Sequence, residues 1–146
     1  MRQLIILSVT LMLVIVSGIA HSEEGIITQQ ELEQREKDIQ SGVAPRATLQ
    51  TLVGCVSKIF MHVKGNTTPP KLGAHFYVGG SLFGIQYNGI YVGGYAPASL
   101  TPDQMAGYGP LLAQLQYAAD KKVKVQIHHV DGFAVYVETL YTQPCP

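Results

Sequence analysis

Residues 101–141, TPDQMAGYGPLLAQLQYAADKKVKVQIHHVDGFAVYVETLY, decide the fold, because each joint in the stretch carries its own local signal. Thr101-Pro102-Asp103-Gln104 supplies a hydroxyl for an N-cap, a proline suited to the first helical position, an early acid facing the helix dipole and a glutamine at capping-box spacing. Tyr108, Leu111, Leu112, Leu115, Ala118 and Ala119 then recur at steps of three and four, one apolar stripe on a 3.6-residue helix. Gly107, Gly109 and Pro110 interrupt its first half, so Pro110 is expected to restart the helix and leave 101–108 as a separate turn. After Asp120-Lys121 the period changes to two. Val123, Val125 and Ile127 alternate with Lys122, Lys124, Gln126 and His128, the pattern of a half-buried strand. Asp131-Gly132 tolerates positive φ at a tight turn, and beyond it Phe133, Val135 and Val137 alternate with Ala134, Tyr136 and Glu138. A helix followed by a hairpin is expected, with His129 at the turn.

Working toward the N-terminus, Ala96-Pro97-Ala98-Ser99 leads into this helix. Ile90–Tyr95 and Leu82–Tyr87 flank Asn88-Gly89, a dipeptide suited to a type I′ turn. Leu72, Ala74, Phe76 and Val78 alternate with Gly73, His75, Tyr77 and Gly79, a strand with its imidazole and phenol on one face. Residues 65–70, Gly-Asn-Thr-Thr-Pro-Pro, form a loop, and Asn66-Thr67-Thr68 matches a glycosylation sequon. Leu52–Lys64 reads as a long first strand, bent near Ser57-Lys58.

Before Ala47 the composition is different. Ile27–Gln40 is rich in Glu, Gln and Lys; Thr28 and Glu31 have capping-box spacing, and Ser41-Gly42 makes a stop. Ile27, Leu32 and Ile39 are its apolar positions, too few for a coiled-coil seam, so this helix must dock on the main domain or stay mobile. Arg2, the apolar run Leu4–Val16 and Gly18-Ile19-Ala20 have the form of a cleaved secretory signal; an uncleaved anchor is the competing reading. The expected organisation is a signal peptide at 1–20, a polar helical extension and linker at 21–46, and a domain at 47–146. The extension is expected to be removable without unfolding that domain.

The order is strand, strand, strand, helix, strand, strand. It is the order of a five-stranded OB-fold barrel, mainly β with one principal helix; an α+β curled sheet with one helix is the alternative.

Removing residues 1–20 takes away Arg2 and leaves nine basic against ten acidic residues. Neither a nucleic-acid footprint nor a polyacidic surface follows. Export, secreted or periplasmic, places Cys55 and Cys145 in an oxidising compartment. These two cysteines are expected to form a disulfide, the alternative being two thiols packed in a core. Its loop of about 90 residues corresponds to roughly 4 to 5 kcal/mol in the chain-entropy model.

His75, His128 and His129, with Asp131 nearby, match neither paired helical histidines nor a Cys/His zinc site, so no metal is expected. No serine has a nucleophile-elbow context, no glycine-rich loop has phosphate-binding form, and six of the ten acids precede Ala47; no enzyme activity and no cofactor are expected. Tyr77, Tyr87, Tyr91, Tyr95 and Tyr136 lie in or beside the strands, and their rings suit sugars, peptides or a neighbouring subunit. The candidate ligand residues are His75, Tyr77, Tyr91 and Tyr95.

The run Tyr108–Val125 resembles the helix-to-strand passage of small exported OB-fold proteins, in which an Ala/Leu-rich helix leads through paired lysines into an alternating valine strand. That group includes B subunits of bacterial AB toxins of the subtilase-cytotoxin and pertussis-like kinds. The resemblance implies a disulfide-bonded domain, ring assembly and glycan binding. The chain has no tryptophan and no sugar-contacting motif that matches residue by residue. The function expected is thus an exported, non-enzymatic binding module for a glycan or protein ligand, able to self-associate, with no nucleic-acid partner and no stable membrane insertion once the signal is cleaved. A structural or assembly protein of the bacterial envelope is the alternative.

Overall fold

The computed structural model describes residues 25–45, 48–87, 89–93 and 98–146. The expected signal segment and Tyr95 lie outside them. The described residues are mainly β, with two helices and one seven-stranded sheet. In order the elements are α1 (Gln29–Gln40), β1 (Gln50–Lys64), β2 (Lys71–Val78), β3 (Ser81–Tyr87), β4 (Ile90–Val92), β5 (Ala98–Ser99), α2 (Pro102–Asp120), β6 (Val123–Val130) and β7 (Phe133–Pro144). The sheet runs β4-β3-β7-β6-β1-β2-β5, and β3 pairs with β2 as well. β3 and β7 are parallel, joined at Gly84↔Phe133 and Ile85↔Ala134, whereas the other pairings are antiparallel.

β1 serves two partners in succession. Gln50–Cys55 pairs with β6, and Val56–Lys64 pairs with β2, with a register shift between Val56 and Lys58. The bend expected at Ser57-Lys58 is this bulge, which re-aims the strand from one partner to the next.

α2 begins as its sequence dictates. The Thr101 hydroxyl accepts the Gln104 N–H at 3.3 Å, and the Gln104 side-chain oxygen accepts the Thr101 N–H at 2.9 Å. It does not break at Pro110, however, but runs unbroken from Pro102 to Asp120. Tyr108 before the proline and Leu112, Leu115 and Ala118 after it are all buried, and packing on both sides holds the helix across one missing backbone hydrogen bond.

At the far end of the chain the β6–β7 turn is confined to Asp131 and Gly132, with φ of 53° and 84°. His129 therefore remains in the ladder and continues the inward row of Val125 and Ile127, correcting its expected place at the turn. Its Nδ1 accepts the Gly132 N–H at 3.3 Å, and its ring lies 4.9 Å from that of Phe83. A second bulge sets His128 against Tyr136 and His129 against Ala134, which leaves Val135 as the extra residue on β7. Ala134 is consequently buried and Val135 only half-buried, the reverse of simple alternation.

α1 docks on the domain. The Ile27 N–H donates to the Ser81 hydroxyl, the Leu82 N–H donates to the Ile27 carbonyl, and Leu32 is fully buried in the same core as Phe76, Phe83 and Phe133. Glu36 is buried too, its carboxylate filling the space that a Cβ on Gly93 would need. The segment thus lies outside the disulfide loop while Ile27 and Leu32 pack into the core. Cys55 and Cys145 form a disulfide, with Cα atoms 5.9 Å apart. The Cys145 N–H donates to the Lys122 carbonyl at 2.7 Å, fixing the end of the chain beside the start of β6.

Candidate functional site

The antiparallel register of β1 and β2 sets Phe60 opposite His75 and Lys58 opposite Tyr77. With a side-chain period of two, these four share the outer face, while Ile59, Phe76 and Ala74 belong to the inner one. The Phe60 and His75 rings stack with centroids 4.4 Å apart and planes 22° from parallel. Tyr77 approaches Phe60 at 6.3 Å with a 60° tilt, and the Lys58 ammonium sits 4.4 Å from the Phe60 centroid, within cation–π range. Burial, and secondarily the charge of Lys58, holds the His75 imidazole below its usual pKa of 6.5. The ring is therefore neutral at pH 7, with one nitrogen able to donate and the other to accept. Beside the cluster lies an open depression of about 560 Å³ lined by Ile59, Phe60, Met61, His62, Gly73 and His75.

The sequence-predicted ligand residues do not all gather here. His75 and Tyr77 do. Tyr91, on β4, meets Phe133 edge-on at 5.1 Å, and burial together with Asp131 raises the pKa of its phenol. Tyr87 turns toward α2, its ring 5.4 Å from Tyr108 and packed on the backbone of Gly107, where a Cβ would collide with it. Phe60 and Lys58 enter the site from a strand that reads in sequence as buried along much of its length. Their outward alternation with Ile59 and Met61 was the available signal, but only the register places them against His75 and Tyr77.

His75, His128 and His129 occupy three different environments. His75 is on the β1–β2 face and His129 is in the core. His128 accepts from the Gln126 amide at 2.9 Å through Nε2, which leaves Nδ1 to donate to the Thr51 hydroxyl at 3.2 Å; the ring lies 5.5 Å from Tyr136. Among the described residues no group of three or more His, Cys, Asp or Glu side chains is placed to hold a metal ion, and no helix is long and apolar enough to cross a membrane.

No protein-family model matches the chain, and no curated protein or solved structure shows significant similarity to it.

Proposed function

We propose that this chain is an exported, non-enzymatic binding module of OB-fold type, and that the outer face of β1–β2 takes its glycan or protein ligand. The barrel reading is supported by the pairings, which run β1–β2–β3–β7–β6 and back to β1 with β3 parallel to β7; β4 and β5 are then additions to the connection between β3 and α2. The disulfide supports an oxidising compartment.

The observation that carries the ligand assignment is the stacked Phe60–His75 pair, flanked by Tyr77 and Lys58 beside an open depression. Flat aromatic faces answer the apolar face of a pyranose or an aromatic or proline side chain. The Tyr77 hydroxyl, the neutral imidazole and the Lys58 ammonium answer hydroxyl and carbonyl oxygens. Screening the mature protein on a glycan array and a peptide library tests the reading. A ligand whose binding is lost in Tyr77→Ala and His75→Ala supports it; one that binds both variants as it binds the parent removes this face from consideration.

A further inference from the structure

We propose that the far end of the β1–β2 hairpin is a docking tip for anionic lipid surfaces; it adjoins the ligand face just described, sharing Met61 with the depression there, but rests on different residues. Beyond Cys55, β1 has left β6 and is laddered to β2, so its last turns of pleat form an edge. Along this edge Met61 is paired with Ala74 and Val63 with Leu72. Ala74 and Leu72 are 0% and 2% exposed, yet their partners Met61 and Val63 are 57% and 47% exposed. Two apolar side chains on the core-facing side of a strand thus meet water where the core has ended.

In this part of the sequence the charge has one sign. Lys64 is directly opposite Lys71, and both are exposed. From Asp38 to Asp103 the sequence contains no acid, whereas Arg46, Lys58, Lys64 and Lys71 all fall within that interval. Like charges facing each other across a ladder disfavour the pair, and a dense negative surface reverses that effect. The anionic bilayer matches both features, because at the tip its phosphates receive the lysines of the outer face while Met61 and Val63, on the inner face of the same edge, enter the headgroup boundary. Other occupants match only one. A second copy adding antiparallel about Met61 brings Lys58 against Lys64, and a nucleic acid answers the lysines but not the apolar pair.

Flotation of the mature protein with phosphatidylcholine vesicles containing phosphatidylglycerol, against phosphatidylcholine alone, tests the assignment. Binding is expected with the anionic vesicles, falling as salt is raised. Lys64→Gln and Lys71→Gln should each lower partitioning about fivefold. Met61→Ser with Val63→Ser should lower it at unchanged circular dichroism and melting temperature, and Tyr77→Ala should leave it unchanged. Flotation equal on neutral vesicles, absent from both, or indifferent to the lysine variants overturns the proposal. So does concentration-dependent self-association, seen by light scattering without flotation and abolished by the Met61/Val63 variant; that result gives the tip to a second copy.

Discussion

Gly54 of β1 lies against the backbone of Gly79, so close that a Cβ at residue 54 would sit 2.8 Å from both the nitrogen and the Cα of Gly79. The contact occurs where β1 is about to change partners, and the Gly79 N–H donates to the Cys55 carbonyl beside it at 3.2 Å. Gly79 has a φ of +57°, so it cannot readily give way by adopting another residue type. Gly54→Ala should therefore destabilise the protein by about 1 to 3 kcal/mol, the usual range for forcing a methyl into a packed site. Denaturant midpoints of parent and variant check this.

Leu32 joins α1 to the main core and is fully buried. Leu32→Ala should cost about 2 to 5 kcal/mol, as for other large-to-small core changes. An effect below about half a kcal/mol in a denaturant titration would mean that α1 is an appendage.

The disulfide spans 90 residues. By the chain-entropy relation, the paired variant Cys55→Ala with Cys145→Ala should lose several kcal/mol, about 4 to 5. Calorimetry of the variant, and of the parent with and without reductant, measures the loss, and free-thiol labelling of the unreduced parent should give no signal.

The Tyr108 phenol is buried, its oxygen has no hydrogen-bond partner among the described residues, and burial with neighbouring Tyr87 raises its pKa to about 12. Since the unfolded group ionises near 10, the unfolded chain loses this proton first. Its contribution is complete below pH 10 and is lost as pH climbs toward 12. Tyr108→Phe should be neutral to stabilising at pH 7, because it removes an unsatisfied polar atom, and should flatten the alkaline fall in melting temperature.

What was legible in the sequence was local. The capping boxes at Thr28 and Thr101, the turn at Asp131-Gly132 and the bend after Ser57 each depend on a few adjacent residues, and each is present. Pairings between distant segments were not legible: β1 passing from β6 to β2, or β3 lying parallel to β7, depends on register that no window of sequence contains. The site divides in the same way. His75 and Tyr77 could be read as neighbours on one face of β2, but Phe60 joins them only through the cross-strand pairing, and Tyr91 is drawn instead to Phe133. Pro110 shows the limit of a local rule, because burial of Tyr108 and Leu112 on either side overrides it. His129 shows the opposite error: its inward alternation was in the sequence, and the adjacent turn signal obscured it.

The central claim is that the Phe60–His75–Tyr77 face holds a ligand, and the affinity of Phe60→Ala for whatever ligand the parent captures tests it most directly. The ring is the hub of the cluster, stacked on His75 and approached by Tyr77 and Lys58. A buried aromatic anchor is worth about 2 kcal/mol or more, so titration calorimetry should show affinity weakened by at least about tenfold at an unchanged fold. Unchanged affinity in a variant that remains folded would contradict the account.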